Sequence, residues 1–176
     1  MKTKSMTSYK RTAVAAALLL SVGVAHADPC KMSIESNDVM QYSAREMVVP
    51  AGCTEVEVSL RHSGQLAAKI MGHDWVLARE SDMSGIVNAG MAAGFKHGYL
   101  PENDKRIIAA TKVVGGGETA TVTFDTRLLQ EGIRYAFFCT SPGHSSIMHG
   151  TFRFAGPRDL QGNTAANALP RSRPAQ

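Results

Sequence analysis

The sequence predicts an all-β fold, a Greek-key β-sandwich or barrel of antiparallel strands with one short inserted helix. The basis is a series of short segments in which apolar and polar residues alternate, each ended by turn-forming residues. The alternation is clearest in residues 54–60, where Val56, Val58 and Leu60 share one face. The chain is long enough for one compact domain with a substantial core.

Eight segments carry this strand pattern. In chain order they are residues 31–35, 46–49, 54–60, 75–78, 106–110, 118–124, 133–139 and 150–154. One segment, residues 81–94, departs from it. Its apolar side chains recur at helix-like spacing, and Ser81 is a candidate N-cap. We therefore expect a short helix between two strands.

The two ends of the chain differ from the predicted domain. Basic residues, an apolar run and then Ala25-His26-Ala27 open the sequence, which predicts a secretory signal peptide, residues 1–27. A membrane anchor is the alternative, but the apolar run is shorter than the roughly 20 residues that a spanning helix needs. Residues 155–176 are rich in Pro, Gly, Ala, Asn and Arg, which predicts a disordered tail. The folded domain is thus expected to span residues 28–154.

The charge and the glycine-rich segment argue against two classes of function, nucleic-acid binding and phosphate binding by a glycine-rich loop. The whole chain has a net charge of +4, but the predicted leader carries four basic and no acidic side chains. The mature chain is therefore close to neutral and gives no reason to expect nucleic-acid binding. The glycines at 115–117 mark a turn and not a phosphate-binding loop, because no Lys-Ser/Thr pair follows them.

The strongest chemical signal lies in one short loop. Cys139, His144 and Met148 stand within ten residues, and Pro142-Gly143 keeps the loop tight. A thiolate, an imidazole and a weakly held thioether match the ligands of a mononuclear copper site that carries single electrons. Such a site needs a second histidine.

Three cysteines in an exported protein favour one disulfide and one remaining thiol. Because Cys139 lies in the candidate metal loop, we expect the bridge to join Cys30 and Cys53. The alternative is that Cys139 pairs with another cysteine and that no metal is bound.

A second histidine occurs in residues 71–75, Met-Gly-His-Asp-Trp, just before a predicted strand. This segment, Phe-Phe-Cys-Thr at 137–140 and Pro-Gly-His-Ser at 142–145 resemble the copper-binding segments of the azurins, a family of cupredoxins. Shorter matches occur at residues 82–83, 90–92, 99–100 and 122–125. The resemblance extends roughly from Cys30 to Phe154, which is the whole predicted domain.

The resemblance implies one copper ion that alternates between Cu(I) and Cu(II). Its trigonal ligands would be His73, Cys139 and His144. Met148 would be a distant axial ligand, and the Gly72 carbonyl would be a weak contact on the opposite side.

The resemblance also implies how such a protein meets its partners. Met40, Met71 and Met91 would belong to an apolar docking patch around the exposed edge of His144, which suits small, short-lived interfaces. The implied partners are a c-type cytochrome and a terminal reductase or oxidase in the periplasm, met by a monomer that does not insert into a membrane. His62 resembles a histidine of the family that does not bind the metal.

Two residues depart from the azurin pattern. Asp74 follows the first copper histidine, where azurins usually have Asn, and Ser141 replaces a usual Phe two residues after the cysteine. Both positions border the implied ligands, where local polarity tunes a metal. We expect an added carboxylate and a lost aromatic ring to favour Cu(II).

Several functions remain open from the sequence. An electron shuttle needs one copper and no substrate pocket. A copper enzyme usually needs a second copper centre, and too few histidines are left for one. A copper-carrying or storage protein of the periplasm would use exposed Met- or His-rich tracts, whereas the methionines here are scattered. A structural zinc site is disfavoured by a methionine ligand.

Overall fold

Eight strands form two sheets that share one core in the computed structural model, which describes residues 30–50 and 52–154. The strands are β1 (Cys30–Ser36), β2 (Glu46–Val49), β3 (Glu55–His62), β4 (Val76–Arg79), β5 (Ile107–Ala110), β6 (Thr119–Asp125), β7 (Tyr135–Phe138) and β8 (His149–Phe154). Helix α1 (Ala68–Met71) precedes β4, and helix α2 (Met83–Ala93) follows it. The predicted signal peptide and C-terminal tail lie outside the described residues.

One sheet has the strand order β1-β3-β6, and the other has the order β2-β8-β7-β4-β5. The predicted Greek-key sandwich with a short inserted helix is confirmed. The expectation that the strands are antiparallel is wrong for two pairs, because β1 runs parallel to β3 and β2 runs parallel to β8. Alternation along a strand determines which face is buried, but it does not determine which strand lies beside it or in which direction.

The helical segments show where local patterns are informative. The predicted helix at 81–94 is α2, but Ser81 does not cap it, because Ser81 lies in a 3-10 turn (Glu80–Asp82) that precedes the helix. Helix α1 was not predicted, since its four residues are too few to show a helical period. In the described part of the chain no helix is long and apolar enough to span a membrane.

Trp75 lies at the centre of the core, directly before β4, and is fully buried. Its ring centroid is 6.0–6.4 Å from those of Phe124, Phe137 and Phe152, so it contacts side chains from both sheets. Aromatic rings at such distances bury large areas and hold one another in defined orientations. This rigid packing supports the loop that ends at Trp75.

The pairing of β4 with β7 brings two distant segments to one end of the sandwich. The strands are antiparallel, with Val76 opposite Phe138. The residues just before β4 and just after β7 therefore lie at the same edge of the sheet. These residues include His73 and Cys139, which are 66 positions apart in the sequence.

The predicted bridge is confirmed: Cys30 is bonded to Cys53, with a sequence separation of 23, and Cys139 is a free, buried thiol. The bridge ties the start of β1 to the residues before β3. We predict that the double change Cys30→Ala and Cys53→Ala lowers the free energy of unfolding by about 3 kcal/mol, because a loop of this length loses its constraint in the unfolded chain. Urea denaturation of the metal-free protein measures this loss.

Wild-type protein provides the control for the disulfide prediction. With a reductant present it should show the same loss as the double variant, and the reductant should not affect the variant further. An unchanged free energy of unfolding in both cases would contradict the prediction.

Candidate metal centre

Three side chains that can bind a metal converge at the end of the sandwich. His73, Cys139 and His144 are buried, and the ligand atoms that they offer lie within 4.8 Å of one another. Nδ1 of His73 is 3.2 Å from Nδ1 of His144, and the Cys139 Sγ lies 3.9 Å and 3.7 Å from these two atoms. A point equidistant from the three atoms lies about 2.1 Å from each, close to ordinary metal–nitrogen and metal–sulfur bond lengths. A single metal ion therefore fits between the three atoms at ordinary bond lengths.

His73 is held in one orientation by its own ring and backbone. Its Nε2 lies 2.8 Å from the carbonyl oxygen of Asn37, in the loop after β1, and donates to it. Its backbone N–H and C=O both pair with Val114, at 3.0 Å and 2.8 Å. Because Nε2 carries the proton in this hydrogen bond, Nδ1 is left free to bind a metal. Burial lowers the pKa of His73 to about 4, so the imidazole is neutral near pH 7.

The loop from Cys139 to Met148 is closed by its backbone. The Cys139 N–H donates to the Met148 carbonyl at 3.0 Å, and the Met148 N–H donates to the His144 carbonyl at 2.7 Å. Gly143 has a φ of 80°, the left-handed conformation that glycine adopts readily, and a 3-10 turn begins at His144. The loop therefore turns sharply enough to place His144 beside Cys139.

Burial sets the protonation of the remaining two groups. The pKa of Cys139 is raised well above its usual range by burial and then by the nearby Asp74, so the thiol keeps its proton unless a cation replaces it. The pKa of His144 is lowered by burial, which favours its neutral form. The two imidazoles are already neutral, and the thiol loses its proton only when a cation is bound. Binding of a metal ion therefore releases a proton from this site.

Asp74 joins the two loops that carry these side chains. Its carboxylate accepts hydrogen bonds from the Thr140 backbone N–H at 2.7 Å and from the Thr140 hydroxyl. The Tyr42 hydroxyl donates to the Asp74 carbonyl oxygen. Burial nevertheless raises the pKa of Asp74 to about 6, since the bonds from Thr140 offset only part of the cost of burying the charge.

Comparison with known proteins agrees with this geometry. Residues 28–154 match the family described as copper binding proteins, plastocyanin/azurin family. Azurin-1 of Alcaligenes xylosoxydans xylosoxydans is 48% identical over 124 residues, which cover 70% of this chain and 96% of that protein. The azurin of Pseudomonas aeruginosa strain PAO1 is 45% identical over 142 residues, 81% of this chain and 95% of that protein.

The chain belongs to the plastocyanin/azurin family. Its architecture agrees as well, since an azurin (Az-iso2) from Methylomonas sp. strain J superposes with a TM-score of 0.69 at 39% identity, covering 71% of this chain and 97% of that one. The predicted copper cofactor is thereby confirmed, and His73, Cys139 and His144 are the cluster that fits a single ion. One thiol and two imidazoles are the soft and borderline donors that copper prefers.

The other two ligands that the resemblance implies for this azurin-family protein are Met148 and Gly72, which are close in sequence to His144 and His73. Met148 is fully buried and packs in the same core cluster as Cys139. Gly72 directly precedes His73, and its carbonyl oxygen accepts a hydrogen bond of 2.7 Å from the Ser141 hydroxyl. This contact was not predicted from the sequence, because comparison with the azurin pattern shows only that Ser141 lacks the usual aromatic ring.

His62 is close to the cluster but is not free to join it. Its Nε2 lies 2.9 Å from the Met71 carbonyl, and its Nδ1 accepts from the Gly64 N–H at 3.0 Å. The ring is fully buried and stacks on His73, with centroids 4.8 Å apart. The expectation of a non-ligating histidine agrees with these contacts, and the stacking helps to fix the His73 ring.

The methionines of the predicted docking patch differ in exposure. Met91 is 47% exposed, whereas Met40 and Met71 are only partly exposed. Sequence reasoning did not select the neighbouring residues Val39 and Ile70, which are 63% and 69% exposed. The sequence offers one signal for Val39 and Ile70: each is an apolar residue close to a segment that carries a ligand or contacts one.

We predict that Asp74→Asn changes how the stability of the metal-free protein depends on pH. The folded pKa of Asp74, about 6, lies above its unfolded value of about 3.9, so its stabilising contribution is complete below pH 4 and is lost as pH rises through 6. Asparagine does not ionise, so the Tm of the variant relative to wild type should rise by roughly 10 °C between pH 4 and pH 7. Thermal unfolding followed by circular dichroism measures the difference.

Asp104→Asn is the matched control for this prediction. The Arg106 side chain lowers the pKa of Asp104 to about 2, so Asp104 is ionised throughout this range. Its variant should differ from wild type by a constant amount above pH 5. A constant difference for Asp74→Asn as well would contradict a raised Asp74 pKa.

Proposed function

We propose that the protein carries single electrons between redox proteins by means of one copper ion. The observation that carries the proposal is the buried arrangement of His73, Cys139 and His144, whose ligand atoms lie at metal-binding separations. Copper bound by a thiolate and two imidazoles supplies one-electron chemistry at moderate potentials. An electron carrier needs a site of this kind close to the surface and no pocket for a substrate.

The proposed ligand set follows the implied one. His73, Cys139 and His144 would hold the ion strongly, and the Met148 thioether and the Gly72 carbonyl oxygen would be weaker contacts. The protein's part is to keep these groups still. Hydrogen bonds of His73 with Asn37 and Val114, the hydrogen bonds from Thr140 to Asp74 and the packing of Trp75 limit movement of the ligands when the charge of the ion changes. A site that moves little exchanges electrons with a small reorganisation energy.

We propose that partners dock on the apolar surface around His144, which is 9% exposed. Three segments next to ligands or ligand-contacting residues in the sequence each present an exposed apolar side chain: Val39 after β1, Ile70 in α1 and Ile147 before β8. With Met40, Met71 and Met91, these side chains form the proposed docking patch. A small apolar interface dehydrates readily and separates quickly, which suits repeated electron exchange.

The remaining parts of the proposal concern the setting of the protein. We propose that residues 1–27 direct export to the periplasm and are removed, that residues 28–154 form the copper domain, and that residues 155–176 are a disordered tail. The mature protein would act as a monomer and would not be an enzyme. Its proposed partners are a c-type cytochrome and a terminal reductase or oxidase.

The first test is spectroscopic. We predict that the Cu(II) protein shows an intense blue thiolate-to-copper band and a narrow copper hyperfine splitting in its EPR spectrum, and that Cys139→Ser abolishes the blue band. His97→Asn is the control, because His97 is an exposed histidine that pairs with Glu102 and should leave both spectra unchanged. A pale Cu(II) protein with a tetragonal spectrum would favour copper carriage or storage instead.

The second test concerns docking. We predict that Ile70→Glu slows electron exchange between oxidised and reduced copies about tenfold or more, because it places an unpaired charge in the apolar contact. NMR line broadening measures this rate. The blue band should be unchanged, which separates docking from an effect on the metal.

Leu128→Glu is the matched control for the docking test. Leu128 is 56% exposed but lies beside Arg79, at the end of β4 remote from His73. The same change in charge there should alter the rate less than twofold. Equal slowing by the two variants would mean that net charge, and not the patch, controls the encounter.

A further inference from the structure

The contact between Ser141 and Gly72 links the two metal-binding loops directly. The Ser141 hydroxyl donates to the Gly72 carbonyl oxygen at 2.7 Å, and both residues are buried, Ser141 being 4% exposed. A carbonyl oxygen can accept two hydrogen bonds. One of the two positions on Gly72 is therefore occupied by a neighbour from the loop that carries Cys139.

The Gly72 carbonyl is not free to turn away from this hydrogen bond. A Cβ atom added to Gly72 would lie 2.3 Å from the Ala68 carbonyl oxygen and 2.6 Å from the Val113 side chain, so the backbone here is closely surrounded. The next residue, His73, is paired with Val114 through both backbone groups. The oxygen is thus held in place while its charge is shared with Ser141.

Copper and zinc differ in how much they need that oxygen. Zinc takes four ligands in a tetrahedral arrangement and accepts nitrogen, thiolate sulfur and oxygen. Two histidines and one cysteine provide three, and the thioether of Met148 is a poor fourth ligand for zinc. Zinc in this site would need the Gly72 oxygen as a full ligand. Copper is satisfied by the three strong ligands and a weak methionine.

We propose that Ser141 is a metal-selectivity residue that disfavours zinc at this site. Its hydroxyl withdraws charge from the Gly72 oxygen and occupies one of its acceptor positions, so the oxygen is a weaker ligand for the ion that depends on it. The inference rests on the proposed ligand set, in which Gly72 is the only oxygen donor. It concerns which ion is bound and is separate from electron transfer itself.

The test is the ratio of zinc to Cu(II) affinity, measured for the metal-free protein by competition with a chromophoric chelator. We expect Ser141→Ala to raise the ratio about three- to tenfold, the factor that corresponds to one neutral hydrogen bond. Ser141→Phe also removes the hydroxyl and should raise the ratio too, so the test does not depend on one variant folding. Ser141→Thr retains a hydroxyl and should stay within twofold of wild type.

Tyr42→Phe is the matched control for a purely structural effect. Tyr42 donates its hydroxyl to the carbonyl of Asp74, on the other side of His73, so its loss also leaves a buried carbonyl without a donor. Asp74 is not a proposed ligand, and the ratio should therefore stay within twofold of wild type.

Two results would overturn the inference. One is an unchanged or lower ratio in the Ser141 variants that lack a hydroxyl, and the other is an equal rise in Tyr42→Phe, which would indicate general loosening of the loop. The blue band of wild-type protein tests the proposed electron carrier separately. A blue protein with a flat ratio would reject only the role of Ser141, and a pale protein would reject the carrier whatever the ratio.

Discussion

The antiparallel pairing of β4 with β7 is the constraint on which the rest of the molecule depends. With Val76 opposite Phe138, the segment before β4 and the segment after β7 must leave the sheet at the same edge. His73 and Cys139 are brought together in this way, and the turn at Gly143 returns His144 to the same point. The aromatic packing of Trp75 beneath this edge keeps the register from shifting, because a slip of one residue would expose the core face.

Hydrogen bonding then converts proximity into a site of defined shape. Several polar groups around the cluster are paired, including Nε2 of His73 with Asn37 and the Asp74 carboxylate with Thr140. Buried polar groups cost free energy when they lack partners, so such a network favours one arrangement of the loops. The ligands are oriented by bonds that do not involve the metal. The same feature serves the proposed electron transfer, since ligands held by the protein have little reason to move when the charge of the ion changes.

Ser141 illustrates how a departure from a family pattern can add a contact as well as remove one. From the sequence, replacing an aromatic residue with serine means the loss of an apolar neighbour, which is expected to favour Cu(II). In the fold the serine hydroxyl also donates a hydrogen bond to the Gly72 carbonyl oxygen, a contact that the comparison of residue types does not include. Asp74 is similar, because its buried carboxylate is bound by Thr140 in a way that no local pattern indicates.

The eight strands, the helix that follows β4, the disulfide between Cys30 and Cys53 and the residue types that bind copper are all predictable from the sequence. These features are local or depend on residue chemistry, so periodicity, cysteine number and the spacing from Cys139 to Met148 reveal them. The fold was needed to reveal the parallel partners of β1 and β2, the contacts of Ser141 and Tyr42, and the exposure of Ile70. Each of these depends on which distant segments become neighbours, and alternation along one strand carries no information about its partner.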